Sequence, residues 1–361
     1  MRRSDPGVGV GAITILLASA CVVKLDHEFD SSDAADAGRA NADAPVASGC
    51  RAPPGVASLT SDLRSIAIGG DVLFVAEHPS SVDGAGFLVP SPGSDCVWSA
   101  TPLGGVIDRS PIRSDAILSP LDLVTTDVAV ALYYTLFVPD SSAAFGVRSI
   151  GIGVAPRNAM TGRFVPTNEL LWSANRAPYG GSALRVGDFV YAYGCVTEGF
   201  LAQDCYVARA PATSVASISA YVYFDGASWT PSADASAAIV HGAGSANVRY
   251  DAASARFVMT YVPPLATEIV ARTALTPEGP WSGPTALASC DLAAAGRGAF
   301  CVGGHQHALV GVPAGSIAVT YAAATFEAGG ASVIFPRFSG RFDYAAIRPS
   351  NFSNSYSIGL T

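Results

Sequence analysis

The sequence predicts an all-β protein, a five-bladed β-propeller of four-stranded antiparallel blades, and three observations predict it. Half of the 361 residues are hydrophobic, with 37 Gly, 24 Pro and only 14% charged residues; this suits short strands and tight turns and gives little for charged amphipathic helices. One hairpin is written more than once. GSALRVGDFVYAYGC (181–195) is echoed by GSANVRYDAASARFVMTYV (244–262), each with two alternating apolar segments about a turn, the period of a half-buried strand. The third observation is the stretch of chain after each copy: a further strand carrying an arginine, then a tryptophan beside a hydroxyl residue. All four tryptophans, Trp98, Trp172, Trp229 and Trp281, sit beside Ser or Thr, and the arginine recurs as Arg157, Arg209, Arg272 and Arg337.

The chain begins with two arginines, an apolar run from Val8 to Leu17 and small residues before Cys21. That is the pattern of a bacterial export signal, too short for a stable membrane span. Residues 1–20 are read as a lipoprotein signal peptide, with LASAC resembling a lipobox and Cys21 as the lipidation site. Ordinary cleavage after Ala20 is the alternative. Residues 21–49 are rich in Asp, Ala and Ser and almost free of aromatics. They cannot bury enough apolar surface to offset their ordering entropy, so a flexible acidic tether is expected.

Residues 50–361 are assigned to the propeller, with blades near 55–105, 120–175, 180–232, 243–288 and 303–346. The hairpin recurs as SIAIGGDVLFVAE, DVAVALYYTLFV and HALVGVPAGSIAVTYA, which makes a unit of about sixty residues written about five times. A four-stranded sheet cannot bury both faces alone, and stacking copies radially solves that while leaving only short edges. The Trp and Arg repeats are read as packing between neighbouring blades. Removing Cys21 leaves an even set, Cys50, Cys96, Cys195, Cys205, Cys290 and Cys301, in an exported protein where disulfides persist. Hairpin-like separations favour 195–205 and 290–301, with 50–96 completing the set.

Net charge is −8 and Lys24 is the only lysine, so no basic stripe exists to neutralise phosphates and nucleic acid is not an expected partner. No nucleophile-elbow, phosphate-loop or His-Glu-x-x-His motif occurs. His305 and His307 share a strand face, as metal ligands would, but no third ligand accompanies them and no metal site is assigned.

GGSALRVGDFVYAYG, YVARA, SANVRYDAASARFVMTYV and EIVARTALTPEGPWS resemble the bacterial propeller family called domain of unknown function 4185, over roughly residues 55–345. That family is similar to the five-bladed glycosidase propellers of the arabinanase and β-fructosidase type, and some members act on mycobacterial cell-wall arabinan. The resemblance implies substrate at the mouth of a central channel and acids on the innermost strands. It implies Asp62 and Asp127 as the carboxylates that glycoside hydrolysis needs, each expected to start the first strand of a blade. Glu77 stands near the place of a family aspartate, and Ser182 and Ser245 stand where related enzymes carry acids. His305 and His307 are expected to contact substrate, as are Ser182 and Ser245. Tyr133 and Tyr179 are candidate mouth aromatics. No cofactor is expected; a central ion near His307 is the one such group the resemblance leaves open. Two functions are implied: a surface glycosidase cleaving furanoside or related cell-wall glycans, or a non-catalytic propeller binding glycan or an envelope protein. In either case the expected protein is a monomer, exported and held at the outer membrane or cell surface by its lipid alone.

Overall fold

The computed structural model describes residues 64–68, 71–78, 81–90, 101–143, 147–167, 169–197, 203–243, 245–252, 254–290, 292, 300–307 and 318–324. Residues 1–63 lie outside that set, and with them the expected signal peptide, the tether, Cys21, Cys50 and Asp62; Cys96 and Arg337 also lie outside it. The described chain is all-β, and its strands fall into five antiparallel sheets.

The first sheet holds β1 (Arg64–Ile68), β2 (Asp71–His78), β3 (Ser81–Pro90) and β4 (Thr101–Gly105), and the second holds β5 (Ile117–Thr125), β6 (Val130–Pro139), β7 (Val147–Pro156) and β8 (Trp172–Ser173). The third comprises β9 (Ser182–Val186), β10 (Phe189–Thr197), β11 (Gln203–Pro211), β12 (Val222–Phe224), β13 (Trp229–Thr230) and β14 (Val240–Ala243). The fourth is β15 (Asn247–Asp251), β16 (Arg256–Tyr261), β17 (Glu268–Ala274) and β18 (Thr285–Ser289), and the fifth shows β19 (Phe300–His307) and β20 (Ala318–Ala324). Three sheets are simple four-strand meanders. The third departs from that plan at β11: its Ala208 and Arg209 pair with β12, while Gln203 to Cys205 pair with β14. Two short strands thus share the outer position that one strand fills elsewhere.

Contact between sheets is cyclic. The first strand of each sheet touches that of the next, β1 to β5, β5 to β9, β9 to β15, β15 to β19, and β19 returns to β1. Apolar clusters fill the spaces between neighbours: Leu73 and Val75 meet Leu118 and Leu132, Tyr133 and Ile152 meet Val190 and Tyr221, and Tyr193 and Val207 meet Val248 and Met259. This is propeller packing, in which each sheet buries both faces against its neighbours.

The repeated Trp and Arg were expected to pack between blades; Arg209 and Arg272 instead make their contacts within one sheet, and Trp172 reaches across to the next. The Arg209 guanidinium lies 4.1 Å from the Trp229 ring centre and 4.7 Å from that of Phe189, a cation sandwiched between aromatic faces. Arg272 donates to Tyr261 Oη at 2.9 Å and to the carbonyl of Ser282, beside Trp281, at 2.7 Å. Trp172 Nε1 donates to Tyr223 Oη at 2.9 Å. Just before β9 the chain passes over the face of Tyr133 at Gly180, whose φ is +99° and where a Cβ would lie 2.6 Å from that ring; a side chain there would clash in a backbone region that already favours glycine.

Two expected disulfides are present. Cys195 faces Cys205 across β10 and β11, while Cys290 and Cys301 join the end of the fourth sheet to the fifth. Replacing both Cys290 and Cys301 by serine is expected to cost about 2–3 kcal/mol by freeing the unfolded chain. A urea midpoint under non-reducing conditions that matches wild type would refute this.

Two strand assignments need correction. The second sheet does not begin at Asp127: its first strand is β5, and 127 lies in the turn to β6. Its sequence ILSPLDLVT is nearly continuous apolar and carries a proline, which hides the alternation. Likewise His307 ends the first strand of the fifth sheet and does not start it.

Candidate functional site

The innermost strands are edge strands, and β5 uses that freedom. Pro120, which lacks an N–H, is tolerated there. Pro120 pairs with Tyr134 and Leu123 with Leu132, so Leu121 and Asp122 together oppose Tyr133 alone. Such a bulge re-aims a side chain, and here it turns Asp122 towards β9 and β15. Asp122 is fully buried. Its Oδ1 accepts from the Leu123 amide at 2.9 Å and Arg249 Nη2 at 2.9 Å; its Oδ2 accepts from the Ala183 amide at 2.8 Å and Arg249 Nη1 at 3.0 Å. These four bonds occupy the acceptor sites of the carboxylate. Arg249 Nη1 also donates to the Ala183 carbonyl at 3.0 Å. One ion pair therefore ties three inner strands.

Each remaining joint of the cycle is also polar. Arg64 Nε donates to the Leu121 carbonyl at 2.6 Å, joining β1 to β5. Ser182 Oγ accepts the Val248 amide at 2.9 Å, joining β9 to β15. Asn247 Oδ1 accepts the Gln306 amide at 3.0 Å, while Gln306 Nε2 donates to the carbonyls of Asn247 at 3.2 Å and Val258 at 2.9 Å, joining β15 to β19. Ser65 Oγ and His307 Nδ1 lie 3.0 Å apart and close the circle. The centre of the molecule is thus a buried polar ring inside an apolar disc. Burial, followed by the positive charges of His305, Arg249 and Arg64, pushes the His307 pKa well below its ordinary value.

The expected site residues are distributed unevenly around this ring. His305 and His307 are on it, both buried. Ser182 is on it too, fully buried and engaged as a joint, without open surface for a ligand. Ser245 lies in the turn before β15 with φ +40° and donates its amide to Gln203 Oε1 at 3.0 Å. Asp127 does not join the ring. It lies past the far end of β5, 41% exposed, with Arg185 Nη2 2.5 Å from its Oδ1. The structure therefore corrects its expected position at the start of an inner strand. Glu77 is on β2, its side chain outside the described ones, as is Asp62 altogether. Tyr133 and Tyr179 are buried between the second and third sheets and offer no platform at a mouth; burial raises both hydroxyl pKa values, that of Tyr179 to about 12.

Asp122, Arg249, Asn247, Gln306 and Arg64 were not anticipated. A signal existed for Asp122, a lone carboxylate in an otherwise apolar strand two residues after a proline. Among the described residues no three His, Cys, Asp or Glu side chains gather as a metal site.

Residues 157–324 match the model of a family described as a domain of unknown function, DUF4185. No curated protein matches the chain. Among solved structures, a candidate hydrolase from Bacteroides ovatus is similar at 13% identity with a TM-score of 0.57, over 83% of this chain and 87% of that one. An endo-1,4-β-xylanase from Bacteroides thetaiotaomicron is similar at 14% identity and TM-score 0.49, over 76% and 87% of the two chains. A GH43_1 enzyme from Xanthomonas citri is similar at 15% identity and TM-score 0.47, over 81% and 94%. At 13% identity the first likeness is one of fold.

Proposed function

We propose that the chain, whose residues 157–324 match the DUF4185 model, is a member of that family and a glycan-acting protein of the bacterial envelope, a hydrolase of furanoside or related cell-wall glycans. In this reading the propeller has five blades. The substrate sits at the mouth formed by the starts of the first strands. Asp62 and Glu77 supply the two carboxyl groups.

What supports this assignment is the fold: the first strands of the described sheets meet in a cycle, and the chain is similar to a candidate hydrolase at TM-score 0.57 over 83% of its length. Glycoside hydrolysis needs one carboxyl as acid and a second as base or nucleophile, the roles given in this reading to Asp62 and Glu77.

The second reading, a propeller that binds glycan without cleaving it, draws on Ser182 and Asp122. The third sheet offers a buried hydroxyl where related enzymes carry an acid, and the carboxylate of the second is consumed by Arg249. A glycan panel containing arabinan and xylan, scored for both retention and new reducing ends, separates the two. New reducing ends support hydrolysis, retention alone supports binding, and neither result across the panel defeats both.

Export as a monomeric lipoprotein completes the proposal. Cells expressing the full chain with a palmitate analogue are expected to label it, and Cys21→Ala is expected to abolish labelling. A variant that labels as well as wild type would remove the anchor from this account.

A further inference from the structure

The third sheet is built up beyond what the polar ring requires. Ser182 lies opposite Tyr193, and Tyr193 opposite Val207, so these three form one row at the level of the ring. β10 and β11 continue past the start of β9, pairing as far as Thr197 with Gln203. At about 3.4 Å per residue, Asp204 stands about 10 Å beyond that row. The extension is clasped by the Cys195–Cys205 disulfide and widened by β14, a strand that the simple meanders lack. Ser245, which follows β14, donates its amide to Gln203 Oε1 at 3.0 Å and so fastens the extension to the chain entering β15.

Strand alternation decides what this extension displays. Cys205, Val207 and Val240 join the apolar cluster facing the fourth sheet. Asp204 and Tyr206 therefore face the other way, where Tyr206 packs partly against the cluster shared with the second sheet. β14 obeys the same rule, with Val240 opposite Cys205 and His241 opposite Asp204. Across that last pair His241 Nδ1 lies 2.9 Å from Asp204 Oδ2, the histidine side chain 75% exposed and the aspartate 23%. One face thus carries an imidazole, a carboxylate and a partly buried phenol side by side.

We propose that this raised face of the third sheet is a glycan subsite outside the mouth, where Asp204 and His241 hydrogen-bond the hydroxyls of sugar units further along a bound chain. The inference rests on the glycan reading above and adds to it a preference for chains over short oligosaccharides. A carboxylate accepts a sugar O–H, and an imidazole whose Nδ1 is turned to that carboxylate keeps Nε2 for a second hydroxyl. Neighbouring hydroxyls on one sugar ring offer such a pair of partners, and Tyr206 adds an aromatic body on the same face. Holding β14 in place does not account for the pair. Backbone pairing with β11 and the Ile239 amide donating to the Cys205 carbonyl at 2.8 Å already do that, and an exposed ion pair adds little to stability.

The test uses the disulfide-intact protein with hexasaccharides and disaccharides prepared from arabinan and from xylan. In NMR titrations a bound hexasaccharide should move the His241 imidazole C–H resonances, assigned by their loss in His241→Gln. By calorimetry the ratio of hexasaccharide to disaccharide affinity should fall about tenfold in His241→Ala and in Asp204→Ala, the loss of one or two hydrogen bonds. Melting curves that match wild type separate this from damage to the fold, and Asp204→Asn, which keeps the side-chain shape, answers for an alanine variant that does not fold. A hexasaccharide that binds or is cleaved with an unchanged ratio in these variants overturns the subsite and leaves the hydrolase reading standing. Perturbed His241 resonances without new reducing ends keep the subsite and remove the hydrolase reading. Binding of none of the four oligosaccharides removes the subsite.

Discussion

Arg249→Ala is expected to lower the unfolding free energy by about 3–5 kcal/mol, the range for removing one partner of a buried ion pair. Its partner Asp122 is fully buried with a side-chain exposure of 0%, while Arg249 retains 19%, so truncating the arginine leaves a carboxylate that water cannot reach. Two amide donors, from Leu123 and Ala183, would remain, which keeps the loss within that range. Replacing both partners by apolar residues, Asp122→Leu with Arg249→Met, should recover much of it, because the stranded charge disappears along with the attraction. The pair can be measured in a denaturant double-mutant cycle. Single and double variants that lose the same small amount would show that the ring does not depend on this clasp.

Asp62→Asn is expected to reduce glycan turnover by about 100- to 10,000-fold, the usual contribution of a positioned general acid or base, with little change in melting temperature. Asp127→Asn, by contrast, should leave turnover within about twofold, since its carboxylate pairs with Arg185 at the far end of β5. An exposed pair of that kind is worth only about 0–1 kcal/mol, so stability should hardly move either. The two aspartates look equivalent in sequence, each following Thr or Ser and preceding an apolar run. Measured kcat for the two variants on whichever glycan wild type cleaves decides between them. Equal losses would return Asp127 to the mechanism, and an active Asp62→Asn protein would remove Asp62.

The residues that made the fold legible were those with local partners. Tyr191, Tyr193 and Val207 alternate on strands joined by short turns, and Cys195 and Cys205 lie directly opposite each other in one hairpin, so period and spacing revealed them. β5 was misread because a bulge breaks its alternation and a proline sits within it. The ring was illegible for a different reason. Arg64 reaches Leu121 across 57 positions and Ser65 reaches His307 across 242. A buried polar residue on an edge strand finds its partner only after the sheets come together, and no periodicity announces it. Asp127 drew attention because it precedes an apolar run where the resemblance implies an acid; Asp122 was overlooked because it interrupts an apolar run only once.

The bond between Ser65 and His307 also constrains the order in which the chain can fold. Neighbouring sheets can pack as soon as both exist, since their strands are close in sequence and loop closure is cheap. The first sheet, however, has one flank whose partner is made last. Until β19 arrives, the assembled sheets form an open arc with two uncovered apolar flanks, one at each end of the chain. Such an arc is self-complementary in the wrong way, because the trailing flank of one molecule suits the leading flank of another. At high concentration during refolding, head-to-tail association of arcs is therefore the characteristic error of this architecture, and conditions that delay formation of the Cys290–Cys301 bond lengthen the interval in which it occurs.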